Sequence, residues 1–329
     1  MVEKIASNLY RIEVPLPRNP LKAINSYVIT GADRNLVVDT GLNREECKNA
    51  LQSGFAEIGL DLAKTDFLLT HMHADHSALA SSLIVPGRKA YASRRDAITI
   101  NTFSGSDIDA HWNALRDYAV LQGFPQEILF LAVEKHPGNM YRPEHRLDFD
   151  YLTDGEVIHV ADYDFQCIFT PGHTRGHVCL YEPNQKILIS GDHILGDITP
   201  NISQWIEDED ALAVYFASLD KVAQLDVAMV LPGHRSIFKD CQGRINELKE
   251  HHSHRLGEVM RIIQDNGPLN AYEIAEHMTW DMRGIWADFP VPQKWFAHGE
   301  AIAHIKYLQK KGWVVSLQTE DKPVRYSAT

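Results

Sequence analysis

One stretch of six residues constrains this chain more than any other feature. The sequence His71-Met72-His73-Ala74-Asp75-His76 directly follows the apolar run Phe67-Leu68-Leu69-Thr70. Such a run predicts a buried strand, and α/β sheets place their chemistry where strands end. In extended or tightly turning backbone, side chains two positions apart point the same way, so the first two histidines can share one metal ion. Asp75 and His76 then face a second ion, and the stretch predicts the start of a two-metal site.

A chance cluster is the alternative interpretation, because the chain holds 17 histidines. The residue frequencies of this chain give such a hexapeptide in roughly three of a thousand sequences. The stretch is therefore interpreted as functional.

Three further metal-capable side chains stand just beyond apolar strands. Each follows a strand and a glycine turn, and they are His173, Asp192 and His234. Glycine lets the backbone bend sharply there, so that the side chain projects from the edge of a sheet. One histidine after a Pro-Gly pair is more often a simple turn residue. Three such positions beside the hexapeptide predict a shared site.

Length and charge limit the class of function. A chain of 329 residues predicts one large enzyme-sized domain with a smaller appendage. The formal net charge of -12 argues against a general nucleic-acid or anionic-membrane binder. The charge therefore favours a small-molecule substrate, with nucleic acid a less favoured partner and no membrane partner.

Cysteine usage and the chain start indicate the compartment. The four cysteines Cys47, Cys167, Cys179 and Cys241 lie far apart without a C-x-x-C pair, so they are expected to be free thiols. The start lacks a basic region followed by an apolar segment, and no apolar run approaches the ~18 residues of a membrane span. These features predict a cytoplasmic protein.

The order of predicted elements suggests two domains. Strand-rich segments on both sides of a polar helical stretch at about 101–148 predict a catalytic domain over residues 1–242 with an inserted helical hairpin. We interpret the hairpin as a cap over the site, and a surface or dimer-contact elaboration is the alternative. Residues 243–329 predict three helices and a β-hairpin, the order of a small winged-helix domain.

Two details of the C-terminal segment lead to further expectations. The run Glu250-His251-His252-Ser253-His254-Arg255 is predicted to be a solvated helix face. The third helix, Trp295 to Lys311, carries an apolar stripe and only a few cations. We therefore expect it to pack against the catalytic domain or a second subunit, as in a homodimer, and not to read DNA.

Four motifs together resemble those of the metallo-β-lactamase-fold superfamily. They are H-x-H-x-D-H, Thr-Pro-Gly-His, Ser-Gly-Asp-His and Pro-Gly-His, in that order and spacing, and the match covers residues 1 to about 240. The resemblance implies an α/β fold, an αββα sandwich with metals at one sheet edge. The C-terminal segment resembles the winged-helix appendage of the lactamase-like endoribonuclease branch.

The same resemblance implies a set of metal ligands. It places one metal on His71, His73 and His173, a second on Asp75, His76 and His234, and Asp192 as a bridge between them. The implied cofactor is two Zn²⁺ ions per chain, although mixed histidine and carboxylate ligands also suit Fe or Mn²⁺.

The chemistry expected of such a site is hydrolysis. Asp75 and Asp192 would be the only anionic ligands beside two divalent ions, so a bridging water should ionise and attack the substrate as hydroxide. Zinc can lower the pKa of a bound water from about 15.7 to about 7. Asp39 is predicted to hold a ligand imidazole in the right tautomer, with an ordinary turn residue as the alternative. His177 and His193 are interpreted as helpers or packing residues, not as ligands.

The sequence leaves the substrate open between two classes. The favoured one is a small ester, thioester or lactone, with Trp112, Tyr118 and Trp205 as apolar walls and Arg175 facing an anionic group. The alternative is a metal-dependent single-stranded ribonuclease, which the winged helix favours and the net charge opposes. A regulator that senses metal and binds DNA is a third hypothesis. It is disfavoured because a complete ligand set supplies a reaction centre, which a protein that only binds DNA does not need.

Overall fold

Two units make up the part of the chain that the computed structural model describes, residues 1–317 and 323–329. The first unit comprises Met1–Ile108, Pro137–Pro200 and Ser218–Ile245, and the second comprises Asp109–His136, Asn201–Ala217 and Asn246–Thr329. This division differs from the boundary predicted after residue 242. Segments 109–136 and 201–217 group with the C-terminal part because their apolar side chains enter the same buried cluster.

Two sheets form the first unit, and their register brings distant strands together. The seven-stranded sheet has the order β1 to β7, with strands β1 Val2–Ala6, β2 Leu9–Pro15, β3 Ala23–Ile29, β4 Asn35–Val38, β5 Thr65–Leu68, β6 Ala90–Ser93 and β7 Phe149–Leu152. The five-stranded sheet has the order β12 to β8, with β8 Val157–Val160, β9 Tyr163–Phe169, β10 Val178–Glu182, β11 Ile187–Gly191 and β12 Met229–Pro232. Neighbours are antiparallel up to β4, parallel from β4 to β7, and parallel again between β11 and β12.

The structure also contains α-helices and a third, small sheet. The helices are α1 Glu45–Glu57, α2 Ala74–Ser77, α3 Arg94–Phe103, α4 Ile108–Leu121, α5 Gln126–Glu134, α6 Pro137–Met140, α7 Ala211–Val222, α8 Cys241–Asn266, α9 Ala271–His277 and α10 Val291–Lys310. The hairpin strands are β13 Val314–Leu317 and β14 Arg325–Ala328, and they pair antiparallel. No helix in the described ranges is long and apolar enough to cross a lipid bilayer.

The core of the first unit lies between its two sheets. Apolar residues of both sheets, such as Ile29 and Leu68 on one side and Phe165 and Leu180 on the other, share one buried cluster. The opposite face of the seven-stranded sheet is covered by α1, whose Cys47, Leu51 and Phe55 repeat every four residues, as the helical spacing predicts. The predicted α/β sheet sandwich is thus confirmed.

Helix α10 is the centre of the second unit. Trp295 is 1% exposed and stacks on Trp205 with ring centroids 4.3 Å apart. Ile302, Ile305 and Leu308 are fully buried. Trp205 belongs to the segment predicted as the catalytic domain, residues 1–242, so the expected packing of the apolar stripe against that segment is observed at Trp295.

The histidine-rich run in α8 differs from its prediction. His254 is exposed, with 77% of its side chain accessible, but His252 is fully buried and Arg255 is 8% exposed. The prediction of a solvated face was wrong for these two residues because His252 and Arg255 continue the buried stripe of Leu248 and Val259 at helical spacing. A polar side chain in phase with that stripe was mistaken for a surface residue.

Candidate metal centre

The ends of four strands in the first unit bring the seven predicted ligands together. The stretch that contains His71 follows β5, and His173, Asp192 and His234 follow β9, β11 and β12. Three overlapping groups have ligand atoms within 4.8 Å of one another: His71 with His73 and His173, His71 with His76 and Asp192, and Asp75 with His76 and His234. We call the first the three-histidine group and the last the mixed group.

The nitrogen atoms of the three-histidine group converge on one point. His73 Nδ1 lies 3.1 Å from His71 Nε2 and 3.0 Å from His173 Nε2. Ligands of a tetrahedral zinc ion, at about 2.0–2.1 Å from the metal, are roughly 3.3 Å apart. Facing imidazole nitrogens cannot both be bare acceptors, so a proton or a cation is needed between them. The spacing fits a metal ion.

Asp192 lies between the two groups. Its Oδ2 is 3.7 Å from His173 Nε2 and 3.4 Å from His234 Nε2, while its Oδ1 is 3.5 Å from His76 Nε2. Asp75 Oδ2 reaches the same His234 nitrogen at 3.4 Å. One carboxylate therefore contacts ligand candidates of both groups, as a bridging ligand must.

Two observations show that the space beside Asp192 suits a cation. Among the residues that the structure describes, Asp192 Oδ1 is buried without a hydrogen-bond partner, and an unsatisfied buried carboxylate oxygen is costly unless it meets a positive charge. Gly233 keeps this space open, because a Cβ there would lie 2.4 Å from Asp192 Oδ1 and 2.8 Å from His76 Cε1.

The electrostatics of the site also call for positive charge. Burial lowers the pKa of His71 well below its usual value, and the neighbouring imidazoles act in the same direction. Burial alone would also lower the pKa of His76 and His234, but the carboxylates outweigh it: Asp192, with Asp39, raises the pKa of His76, and Asp192, with Asp75, raises that of His234 to about 10. Protons on these imidazoles balance the acids, and a metal ion would displace them.

Asp39 orients two of the candidate ligands. Its φ of +60° is a left-handed conformation that Asp tolerates, and it aims the carboxylate at His76, whose Nδ1 lies 2.8 Å from Oδ2. Thr70 donates its hydroxyl to the same oxygen at 2.7 Å, and His71 Nδ1 lies 3.0 Å from that hydroxyl. If each Nδ1 carries the proton, both Nε2 atoms face the centre of the site as acceptors.

Strand β3 holds the turn that carries His234. Asn25, 2% exposed, donates from Nδ2 to Pro232 O and to Arg235 O, at 2.9 Å in each case. Tyr27 donates its hydroxyl to Pro232 O at 2.8 Å, and His234 Nδ1 donates to a β3 carbonyl at 2.7 Å. The Nε2 atom of His234 is thereby left for the metal site.

His177 supports Asp192 through the backbone. The Asp192 N–H donates to His177 Nε2 at 3.1 Å, and His177 Nδ1 lies 2.8 Å from Thr170 Oγ1. Both ring nitrogens of His177 are therefore engaged in hydrogen bonds, and neither is left for a metal ion. His177 was predicted to be a helper or packing residue. Thr70, Asn25 and Tyr27 were not predicted, because their partners lie on segments far away in sequence.

The four residues predicted to contact substrate lie in different units. Trp112, Tyr118 and Trp205 belong to the second unit, and Arg175 belongs to the first. Trp112 is only 4% exposed and packs against His136 with ring centroids 5.0 Å apart. Arg175 is exposed, two residues beyond His173. Their roles toward a substrate stay predictions, and Trp112 has little surface left to offer.

Comparisons with known proteins agree with this site. The model of the metallo-beta-lactamase superfamily matches residues 20–234, which include all seven candidate ligands. The chain is 24% identical over 320 residues to the Beta-lactamase-like protein 2 homolog of Caenorhabditis elegans, covering 94% of this chain and 85% of that protein. It is 25% identical over 246 residues to the Atrochrysone carboxyl ACP thioesterase of Aspergillus fumigatus, covering 74% of this chain and 61% of that protein.

Solved structures show the same architecture. A metallo-beta-lactamase family protein from Thermus thermophilus has a TM-score of 0.82 and 28% identity, covering 99% of this chain and all of that one. A beta-lactamase domain protein from Burkholderia ambifaria has a TM-score of 0.79 and 23% identity, covering 100% of this chain and 95% of that one. With its matched family model and its cluster of histidines and aspartates at the strand ends, the chain belongs to the metallo-β-lactamase superfamily and is a hydrolase.

Proposed function

We propose that the protein is a metal-dependent hydrolase of small thioesters or esters that works with two transition-metal ions. The observation that carries the proposal is the position of Asp192, within 3.7 Å of His173 and within 3.4 Å of His234. A carboxylate between two ligand groups supports a binuclear site. Zinc is the metal we propose first, and the donor set also suits Fe or Mn²⁺.

The bound ions would supply an activated water and polarise the attacked carbonyl group. The chain's own residues prepare the site for this. Asp39 and Thr70 contact the Nδ1 atoms of His76 and His71, and a β3 carbonyl accepts from Nδ1 of His234, so the Nε2 atoms are left for the metal ions. His71, His76 and His234 are fully buried, whereas His73, Asp75 and His173 are partly accessible. Substrate is expected to approach from that accessible side.

The choice of a thioester rests on a relative. The Aspergillus fumigatus protein, whose name states that it is an ACP thioesterase, is 25% identical over 246 residues, and this chain covers 61% of its length. Arg175 is exposed and lies two residues after His173 in the sequence, and a guanidinium suits a substrate with a carboxylate or phosphate. We propose Arg175 as the group that selects anionic substrates.

We also propose an architecture for the second unit and for the inserted segment. The order of α8, α9, α10 and the β13–β14 hairpin supports a winged-helix-like arrangement, and α4 and α5 support an inserted helical hairpin. Lys306, one of the few cations of α10, is 6% exposed and pairs with Glu207. That cation is already neutralised, which favours a small substrate over a nucleic acid.

A substrate panel with metal analysis tests the proposal. The full chain, purified without chelator, is assayed against acyl thioesters, esters, lactones and single-stranded RNA, while its metals are counted by elemental analysis. We expect about two ions per chain, thioester hydrolysis that a chelator abolishes, and its return when the metal is restored. Asp192→Ala should remove the activity while the far-ultraviolet circular dichroism is retained.

Two results would contradict the proposal. One ion or none after metal supplementation would exclude the binuclear site. RNA cleavage without thioester or ester hydrolysis would replace the substrate class with the nuclease alternative. Arg175→Gln is the specificity control, and it should raise KM for anionic thioesters more than for neutral ones.

A further inference from the structure

Asp96 is a buried carboxylate near the metal centre that the ligand pattern does not include. It is 2% exposed and occupies the first turn of α3, where its backbone N–H is bound by the side chain of the N-cap residue Ser93. Burial raises the pKa of Asp96 to about 6, whereas its hydrogen bonds and the partial positive charge at the helix N-terminus favour the ionised carboxylate. Asp96 thus extends a negative group from a third element toward the loops that carry the ligands.

Three donors from two loops converge on this carboxylate. The backbone N–H of Met72 donates to Oδ2 at 3.0 Å, and the Thr174 hydroxyl donates to the same oxygen at 2.5 Å. The backbone N–H of Gly176 is a third donor. Glycine permits this close approach, because a Cβ at that position would lie 2.1 Å from Ser93 Oγ and 2.6 Å from Asp96 Oδ1.

The donors stand directly beside the three-histidine group. Met72 lies between His71 and His73, and Thr174 follows His173. The Met72 N–H belongs to the peptide unit that joins His71 to Met72, so its hydrogen bond restrains the backbone directly between the two histidines. The hydrogen bond of Thr174 restrains the residue that follows His173. Every member of the three-histidine group is therefore one residue away from a hydrogen bond to Asp96.

We infer that Asp96 is a positioning residue that holds the two ligand loops together and thereby sets the affinity of the three-histidine group for its metal ion. The inference rests on the proposed metal-dependent function. The mixed group is anchored elsewhere, since His76 is held by Asp39 and His234 by β3. Loss of Asp96 should thus weaken one ion and spare the other.

The chemistry of the side chain makes Asp96→Asn the appropriate substitution. A carboxylate accepts at both oxygens, whereas a carboxamide has one accepting oxygen and an NH₂ group that can only donate. The shape is kept, but the negative charge is lost, and an NH₂ group in the place of Oδ2 would face the Met72 N–H. Thr174→Val is the milder test, since it removes only the hydroxyl and leaves the carboxylate in place.

A matched control is available in the same unit. Asp66 is 1% exposed and also accepts three hydrogen bonds, from the Lys89 N–H at 2.9 Å, from Arg34 Nε at 2.8 Å and from Arg88 Nε at 2.9 Å. None of these donors adjoins a candidate ligand. Asp66→Asn should lower stability without changing the metal affinity.

The experiment is a Zn²⁺ titration of the metal-stripped full chain in competition with a chromophoric chelator, with Co²⁺ absorption spectra as a second readout. In Asp96→Asn we expect the Kd of one ion to rise about 10- to 100-fold, the range for residues that orient metal ligands. The Kd of the other ion should stay unchanged, and one set of Co²⁺ bands should weaken. Thr174→Val should shift the same ion by a smaller factor, and it decides the question if Asp96→Asn does not fold.

The outcomes separate this inference from the proposed function. A wild-type chain that binds no Zn²⁺ overturns both. A wild-type chain that binds two ions, with Thr174→Val and folded Asp96→Asn binding them equally well, overturns only the role of Asp96. An equal loss of affinity in Asp66→Asn also overturns it, because general destabilisation would then be the cause.

Discussion

Two buried histidines of α10 should make the second unit sensitive to acid. His298 is fully buried among aromatic rings, with its ring centroid 5.4 Å from that of Phe124 and 6.1 Å from that of Tyr272. His304 is also fully buried, and its Nδ1 donates to the Glu300 carbonyl at 2.8 Å. Burial lowers the pKa of His298 to about 3 and that of His304 to about 4. Both imidazoles are neutral in the folded protein at neutral pH.

The sign of the effect follows from linkage. In the unfolded chain a histidine has a pKa of about 6.5, so below that pH the unfolded state binds more protons than the folded one. The stabilisation is complete above about pH 6.5 and is lost as the pH falls toward the folded values. At pH 5 each histidine should lower the free energy of unfolding by about 2 kcal/mol, and the pair should lower it by about 4 kcal/mol. Domains are typically stable by only about 5–15 kcal/mol.

Tryptophan fluorescence provides a selective assay. All six tryptophans of the chain lie in the second unit, whereas the candidate metal ligands lie in the first. Urea unfolding followed by fluorescence at pH 7.5 and pH 5 therefore reports on the unit that holds these histidines. Between the two pH values, the free energy of unfolding of His298→Phe should fall by about 2 kcal/mol less than that of wild type. His254→Gln, at an exposed position, should lose as much as wild type. An identical loss in His298→Phe and wild type would refute the reasoning.

Three other substitutions test the core of the second unit and the metal site, and two of them have a matched control. Trp295→Ala should destabilise the second unit by about 3–5 kcal/mol in urea unfolding, because the side chain is 1% exposed, while Trp313→Ala, at 53% exposure, should change it by less than about 0.5 kcal/mol. Gly233→Ala should remove metal in elemental analysis, since its Cβ would meet a ligand carboxylate at 2.4 Å, whereas Gly257→Ala, with nothing within 4 Å, should leave metal content unchanged. Asp39→Asn should weaken metal affinity about 10- to 100-fold in chelator competition, and unchanged affinity would contradict its orienting role.

The features that the sequence predicted well are local ones. The apolar run before His71 predicted a strand with ligands at its end, and β5 ends at Leu68. The four-residue spacing of Cys47, Leu51 and Phe55 is typical of a helix with one buried face, and α1 buries these residues. His173 and His234, which directly follow Gly172 and Gly233, likewise lie among the candidate metal ligands. In each case the signal lies within a few residues, where periodicity and turn chemistry operate.

Features that depend on distant partners were not predicted. Asp96 meets donors that lie 24 and 78 positions away in the sequence. Asn25 meets the turn before His234 across more than 200 positions. Such contacts are set by sheet register, which a single sequence does not specify.

Helix α10 buries polar residues as well as the apolar stripe from which its packing was predicted. Eleven of its 20 residues are buried, and they include His298, His304 and Lys306. A polar residue in a helical stripe usually indicates a solvent-facing position. Here His298 packs against an aromatic ring, His304 donates to a backbone carbonyl and Lys306 pairs with Glu207. The remaining cations, Lys294 and Lys310, stand near the two ends of the helix. A helix that reads a DNA groove needs an exposed polar face, so we infer that α10 stabilises its own unit, and that any nucleic-acid contact would have to use other residues.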